Sequence, residues 1–255
     1  MIDIHTHILP CLDDGAPSLE VAVLMARIAY AQGIRAMIAT PHHRNGRYRN
    51  EADVIHLATA RLNEELQQQG VDVKVYAGQE IQMYDRLLLD WMEGNTLLSL
   101  HHSKYILIEL PATHIPSSCR DLFYELRLLG HVPIIAHPER NAGVMQDLAQ
   151  LGELVREGAL CQVTASSLTG RFGSKIRKLA WKLCKQNLIH LIASDCHNCR
   201  SRPPDLAKSY QQIEEVLGEH YVQSYRLNAS NVLQDKDIAV QEPVLSSSIW
   251  RMSRY

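Results

Sequence analysis

The chain has 255 residues, 46% of them apolar, with 26 basic and 28 acidic side chains and a formal charge of −2. That composition supports a sizeable core and excludes bulk disorder. The slight acidic excess, with a pI near 6.7, argues against a nucleic-acid-binding protein, which carries a basic surplus.

The chain opens Met-Ile-Asp-Ile-His, without the basic and apolar regions of a secretory signal. No apolar run approaches the roughly 18 residues that span a bilayer. Six scattered cysteines (Cys11, Cys119, Cys161, Cys184, Cys196, Cys199) read as reduced thiols rather than a disulfide scaffold. The expectation is a cytoplasmic protein.

Apolar β-type runs alternate with helical-period segments along the chain. The strands are expected at Ile2–His5, Arg35–Thr40, Val71–Ala77, Tyr105–Leu110, Val132–Ala136, Leu160–Thr164 and His190–Ser194. Helices are expected near Ser18–Gln32, Asn50–Gln69, Met83–Glu93, Ser117–Leu129, Val144–Glu157, Ser174–Gln186 and Pro204–Leu217. Ser18 is a candidate N-cap, and Glu20 puts an acid in the first turn, where the helix dipole favours one. Runs such as Ile106-Leu107-Ile108 and Ile134-Ile135-Ala136 are apolar on both faces, which favours a parallel sheet. Seven β-α units suit a barrel better than an open sheet, with a missed eighth strand left open. The expectation is one α/β barrel domain over residues 1–235 and a loosely held tail over residues 236–255, which contains Ser246-Ser247-Ser248 and Trp250-Arg251-Met252.

The chemistry collects at the ends of the expected strands. In Asp3-Ile4-His5-Thr6-His7, positions i and i+2 share a face, so His5 and His7 point the same way. Two imidazoles so placed can bind one divalent cation; taken alone, they could equally be buried and hydrogen-bonded. Other polar groups settle that weighing, because each follows an apolar run: Asp13-Asp14-Gly15, Thr40-Pro41-His42-His43, Gly78-Gln79-Glu80, Glu109, His137-Pro138-Glu139-Arg140 and Ser194-Asp195-Cys196-His197-Asn198. Barrel active sites gather at the C-terminal ends of strands, and a random scatter would not fall at six of seven such ends.

The candidate ligands are His5, His7, Asp14, His42, Glu80, Glu109, His137, Asp195 and His197. A single catalytic zinc uses about three protein ligands, so five imidazoles and four carboxylates suit two or three divalent ions with a bridging water. The oxygen and nitrogen donors fit Mn, Fe or Zn without choosing between them. Three such ions, four carboxylates and a hydroxide leave about +1, which attracts an anion. Arg140 and Arg202 add two forked donors that match phosphate oxygens. The site therefore favours a phosphate ester.

The ordered set D-I-H-T-H, D-D-G, T-P-H-H, G-Q-E, H-P-E-R and S-D-C-H-N with the following R-P-P resembles the polymerase-and-histidinol-phosphatase (PHP) superfamily. Within it, the chain is most similar to the manganese-dependent protein tyrosine phosphatases of bacterial capsule and exopolysaccharide loci. The resemblance runs from Met1 to about Asp235 and implies a distorted (β/α)7 barrel of the PHP type carrying three metal ions, with Mn favoured and Fe or Zn as alternatives. It implies that His5, His7, Glu80 and Asp195 hold one ion, that Glu80 bridges to a second held with Glu109 and His137, and that Asp14, His42 and His197 hold the third. Arg140 and Arg202 match the family's phosphate-contacting arginines. The implied chemistry is direct hydrolysis by an activated water, without a covalent enzyme intermediate. The implied partner is the phosphorylated tail of a membrane-associated tyrosine autokinase; oligomeric state is left open.

Other readings stand beside this one. A small-metabolite phosphatase, such as histidinol-phosphate phosphatase, would use the same cluster. A metal-dependent amidohydrolase would want a bridging lysine where Glu80 and Glu109 offer carboxylates, and a non-catalytic phosphopeptide module would bind without turnover. Cys196 and Cys199 form a C-x-x-C, and Cys196-x5-Arg202 has the spacing of a cysteine-phosphatase loop, although its interior lacks glycine. The segment Arg44-Asn45-Gly46-Arg47-Tyr48-Arg49 reads as a mobile basic loop that attracts an acidic phosphopeptide, or as an ordinary solvated loop.

Overall fold

A computed structural model describes residues 1–94 and 96–244. Strands β1 (Ile2–Thr6), β2 (Ala36–Ala39), β3 (His42–His43), β4 (Lys74–Ala77), β5 (Glu80–Gln82), β6 (Tyr105–Glu109), β7 (Val132–Ala136), β8 (Leu160–Thr164) and β9 (Leu191–Ala193) pair in parallel throughout. Helices α1 (Leu19–Ala31), α2 (Ala52–Gln68), α3 (Leu87–Glu93), α4 (Cys119–Leu128), α5 (Ala142–Gln146), α6 (Ala149–Arg156), α7 (Ala165–Leu168), α8 (Ser174–Lys185), α9 (Leu206–Leu217) and α10 (Glu219–Leu233) fill the intervals. Ser18 caps α1 as expected, its hydroxyl accepting from the Val21 amide at 3.4 Å.

The seven expected runs all carry strands, but the ladder does not close into one barrel. It forms a three-stranded sheet, β1-β2-β4, and a six-stranded sheet, β3-β5-β6-β7-β8-β9. The cause is local. The second and third runs are each interrupted and then resumed, at Thr40-Pro41 and at Gly78-Gln79; proline brings no N–H to a ladder. The chain resumes as β3 and β5, strands of two and three residues that join the other sheet. Across the remaining gap, β1 meets the end of β9 through a bridge between Thr6 and Cys196 and two amide bonds, Asp195 N to His5 O and His7 N to Cys196 O, both 2.9 Å.

Two apolar clusters hold the layers together. The larger lies between the sheets and the surrounding helices, with Met25, Leu62, Ile108, Phe123, Ile135, Leu183 and Ile213 fully or almost fully buried. The smaller lies inside the curved sheets: Ile4, Ile38, Leu107, Ile134, Leu160 and Leu191, with Ala229 and Val232 of α10 packed on it. Burying each large aliphatic side chain contributes about 2 kcal/mol. Helix α10 thus covers the end where the strands begin, and the end where they finish stays open. Beyond α10 the chain continues along the base, where Lys104 donates to Asp235 and Tyr105 to the Lys236 carbonyl. Val244 donates to the Gln186 carbonyl at 2.9 Å. The serine run and Trp250-Arg251-Met252 lie outside the described residues. No helix among the described residues is long and apolar enough to cross a membrane.

Candidate metal centre

All the nominated side chains meet at the strands' C-terminal ends. His5 Nε2, His7 Nε2, Glu80 Oε2 and Asp195 Oδ1 form one tight set: the two imidazole nitrogens are 3.2 Å apart, and each lies 3.3–3.5 Å from both carboxylate oxygens. Donors about 2.1 Å from a common ion at tetrahedral angles stand about 3.4 Å apart. Glu80 faces a second set with its other oxygen, Oε1, which lies 2.7 Å from His137 Nε2; Glu109 Oε1 is 3.7 Å from the same nitrogen. In the third set, Asp14 Oδ1 lies 3.6 Å from His42 Nε2 and 3.5 Å from His197 Nε2. His42 spans two sets, because its Nδ1 lies 2.9 Å from Glu80 Oε2 and 3.7 Å from Glu109 Oε2. His7 likewise reaches the third set, its ring centroid 3.9 Å from that of His197.

The donor atoms fit divalent ions better than they fit one another. His42 Nδ1, Glu80 Oε2 and His197 Nε2 are buried without an aligned hydrogen-bond partner, and a buried polar atom left so is costly. Glu80 Oε2 and His42 Nδ1 are close in distance but misaligned. Burial and the neighbouring Glu80 carboxylate push Glu109 up to about 7, a crowding that bound cations would relieve. Burial pushes His137 and His197 down to about 4, which keeps them neutral, as ligating imidazoles must be.

Beside this cluster is a cavity of about 230 Å³ lined by His42, Glu109, His137, Arg140, Asp195 and Arg202 among others. Arg140 Nη2 and Arg202 Nη2 both donate to Asp195 Oδ2, at 2.5 and 2.7 Å. Burial pushes the Asp195 carboxyl up, but the Arg140 charge and His5 outweigh it and hold it well below the usual range. Arg140 Nε and Arg202 Nε are buried donors with no partner. Two guanidinium edges that lack acceptors suit the oxygens of a phosphoryl group.

Three buried residues that strand-end logic did not nominate orient this machinery. Asp13 Oδ2 lies 2.6 Å from His7 Nδ1 and accepts from the His42 amide at 3.0 Å, while its Oδ1 accepts from the Gly15 amide. Gln162 Oε1 lies 2.9 Å from His5 Nδ1. Each fixes an imidazole so that its Nε2 faces the cluster. Glu139 accepts from the Thr164 amide and the Ser167 hydroxyl, anchoring the turn that carries Arg140. Gln162 had a visible signal, an amide amid the apolar run of β8. Gly15 is dictated by a close approach: a Cβ there would lie 2.0 Å from the His7 carbonyl oxygen.

The cysteine-loop reading fails on geometry. Cys196 is fully buried, and burial pushes its thiol well above the usual range. The amides that would cradle phosphate are already used: His197 N and Asn198 N donate to the Arg202 carbonyl, and those of Arg200, Ser201 and Arg202 to Asn198 Oδ1. Cys196 and Cys199 are free thiols. In the basic loop, Arg44 pairs with Asp90 at 3.1 Å and Arg49 with Glu51 at 2.8 Å, so its charge is largely spent internally.

The class that fold and site define is a parallel α/β protein with clustered imidazole and carboxylate donors, a candidate metal centre, beside a pair of arginines. The model for the family described as "Capsular polysaccharide synthesis, CpsB/CapC" matches residues 1–234, and the chain belongs to that family. Tyrosine-protein phosphatase YwqE of Bacillus subtilis (strain 168) is 42% identical over 243 residues, 95% of each chain. Tyrosine-protein phosphatase CpsB of Streptococcus pneumoniae is 30% identical over 223 residues, 86% of this chain and 91% of the relative. A solved structure described as belonging to YwqE from Bacillus subtilis and CpsB from Streptococcus pneumoniae, metal-dependent tyrosine phosphatases, matches with a TM-score of 0.94 at 41% identity. It covers 96% of this chain and 99% of that one. A variant of organophosphorus hydrolase, at 14% identity and a TM-score of 0.55, shares the fold alone.

Proposed function

We propose that this chain is a metal-dependent protein tyrosine phosphatase, acting in the cytoplasm on a phosphotyrosyl protein of capsule or exopolysaccharide synthesis. The substrate we favour is the phosphorylated tail of a membrane-associated tyrosine autokinase. The observation that carries the reading is the meeting of nine imidazole and carboxylate side chains with two arginines that keep unpartnered Nε donors. The names of the relatives support the same substrate class. The sevenfold series of strand units around the cluster supports a distorted (β/α)7 barrel over residues 1–235, with residues 236–255 as a tail.

The three donor sets suit three divalent ions, Mn first and Fe or Zn as alternatives. His5, His7, Glu80 and Asp195 would hold one, Glu80, Glu109 and His137 the second, and Asp14, His42 and His197 the third. When bound, such ions lower the pKa of water toward neutrality and offset phosphoryl charge. The chain's own part is positioning. Arg140 and Arg202 grip the phosphoryl oxygens and follow the negative charge as it spreads over them. Asp195 holds both guanidinium groups in place, and Asp13 and Gln162 hold His7 and His5. A tyrosyl leaving group, with a pKa near 10, requires less proton donation than an alkoxide.

The test is steady-state hydrolysis of a phosphotyrosine peptide by chelator-stripped protein, with Mn, Zn, Fe or Mg added back. Activity restored by metal, abolished in His137→Ala and retained in Cys196→Ser is the expected result. Activity indifferent to metal and lost in Cys196→Ser would overturn it, and turnover of small phosphomonoesters alone would move the substrate to a metabolite.

A further inference from the structure

Between Glu157 and Asp195 the chain carries six basic residues and no acidic one, against a net charge of −2 for the whole. Five of the six, Lys175, Arg177, Lys178, Lys182 and Lys185, belong to α8, and all five are exposed. None of the four lysines pairs with a carboxylate among the described residues, unlike Arg44 and Arg49 of the basic loop. Positions 177, 178, 181, 182 and 185 share one helix face, and with Gln186 and Val216 of α9 they line a groove of about 600 Å³. Its floor is Trp181, half-buried, with its indole N–H donating to the Leu168 carbonyl at 3.2 Å. Glu214 and Glu215 precede Val216, but neither lines the groove.

The N-terminal approach to α8 reaches the candidate centre. Helix α8 packs against the Pro138–Arg140 turn, and Phe172, just before α8, lies under the Arg140 guanidinium at 5.6 Å. Arg171, in the same approach, donates to the Arg200 carbonyl.

We propose that this groove is a docking site for an acidic stretch flanking the phosphotyrosine of the protein substrate, a proposal that rests on the phosphatase reading above. Charge complementarity selects the occupant: unpaired lysines gain most from a polyanion, and they raise its local concentration at the neighbouring centre. Shape separates a peptide from a membrane. The groove is shallow, its tryptophan is half-buried with the indole N–H already bonded, and Val216 is the one exposed large apolar side chain among its lining residues, too little to anchor in a bilayer.

The experiment compares the full metal-loaded chain with Lys178→Glu/Lys182→Glu on three substrates: a phosphotyrosine peptide flanked by glutamates, one flanked by serines, and p-nitrophenyl phosphate. Exposed ion pairs are individually weak, so reversing two lysines should raise KM for the acidic peptide by about tenfold at low salt. Its kcat and both constants for the other two substrates should hold. Equal effects on all three substrates, or none on any, overturn the proposal. Anisotropy of a fluorescein-labelled, unphosphorylated acidic peptide tests the groove even if no phosphotyrosine is turned over: lysine-dependent, salt-sensitive binding supports it, and no binding overturns it. Charge reversal that abolishes sedimentation with phosphatidylserine vesicles but spares peptide binding and KM would assign the face to a membrane and overturn it equally.

Discussion

Asp13 offers the sharpest check on the geometry of the centre, because its carboxylate would touch no substrate and no ion. It receives three donors at once, His7 Nδ1 at 2.6 Å and the amides of Gly15 and His42 at 2.9 and 3.0 Å. Burial pushes Asp13 up, yet His7 outweighs it and the carboxyl sits below its usual range; burial pushes His7 down, and Asp13 reverses that. The Asp13 carboxylate therefore accepts from Nδ1–H, which leaves Nε2 turned to the cluster. Asp13→Asn keeps the shape but removes the charge and one acceptor, so one of the three donors faces an amide N–H. Loss of such an outer carboxylate weakens metal binding by about 10- to 100-fold, or about 1.4–2.7 kcal/mol. Titration calorimetry with Mn on the stripped protein reads this directly, and thermal melts in chelator check that the fold survives. The reasoning is refuted if Asp13→Asn folds normally and binds the full complement of Mn at the original affinity.

Two further outcomes follow from named contacts. Arg202→Lys replaces a forked donor by a point charge, so kcat/KM for a phosphotyrosine peptide should fall by about 10²-fold; a loss under threefold would remove Arg202 from phosphate binding. His190 lies outside the cluster, 4% exposed, and burial pushes it down to about 4. Because the folded value is depressed, its contribution is complete above pH 6.5 and is lost as pH falls toward 4, about 3 kcal/mol in all. His190→Asn keeps an acceptor for the Cys161 amide, which now donates to His190 Nδ1. Urea unfolding in chelator from pH 7.5 to 4.5 should show a shallower pH slope for the variant, and parallel slopes would contradict this origin.

Much of the site was legible because parallel strands deliver their C-terminal residues to one place, and chemistry-bearing side chains after apolar runs mark those ends. What spacing could not show was geometry across the chain. His42 was assigned to one set of donors, yet its two ring nitrogens face different sets. Asp13 sat beside Asp14 in the same motif, but only the fold reveals which carboxylate turns inward to a histidine. β3 and β5 escaped notice because two or three residues carry no periodicity. α7, four residues long, escaped for the same reason, whereas α10 does show Val222, Tyr225, Ala229 and Val232 on one face. The expected helix over Val144–Glu157 is two, α5 and α6, parted at Asp147, whose extended backbone interrupts the helix.

The breaks that keep the ladder from closing are also what build the centre. At the first, Thr40 N donates to the Thr6 carbonyl at 2.8 Å and Thr6 Oγ1 to the Ile38 carbonyl at 2.9 Å, tying β1 to the chain just before His42. At the second, Gly78 is required because a Cβ would lie 2.9 Å from Ile38 Cγ2. Gln79 is fully buried and takes up the Asn50 and Thr96 carbonyls and the Leu98 amide. Its side chain thus secures the neighbouring loops, while the next residue, Glu80, enters the centre. β3 and β5 then pair with His42 directly opposite Glu80, which sets the 2.9 Å approach of their side chains. At the gap between β1 and β9, the two amide bonds fall on His5, His7, Asp195 and Cys196, so three candidate ligands are themselves the closing residues. A donor set carried on such junctions is held by backbone bonds from both sheets, the rigid support that a multi-ion centre requires before any ion arrives. The same rigidity explains why Asp195 and His137 tolerate left-handed backbone, at φ of 52° and 33°: each turns its chain sharply at a strand end, where the surrounding contacts over-determine the conformation.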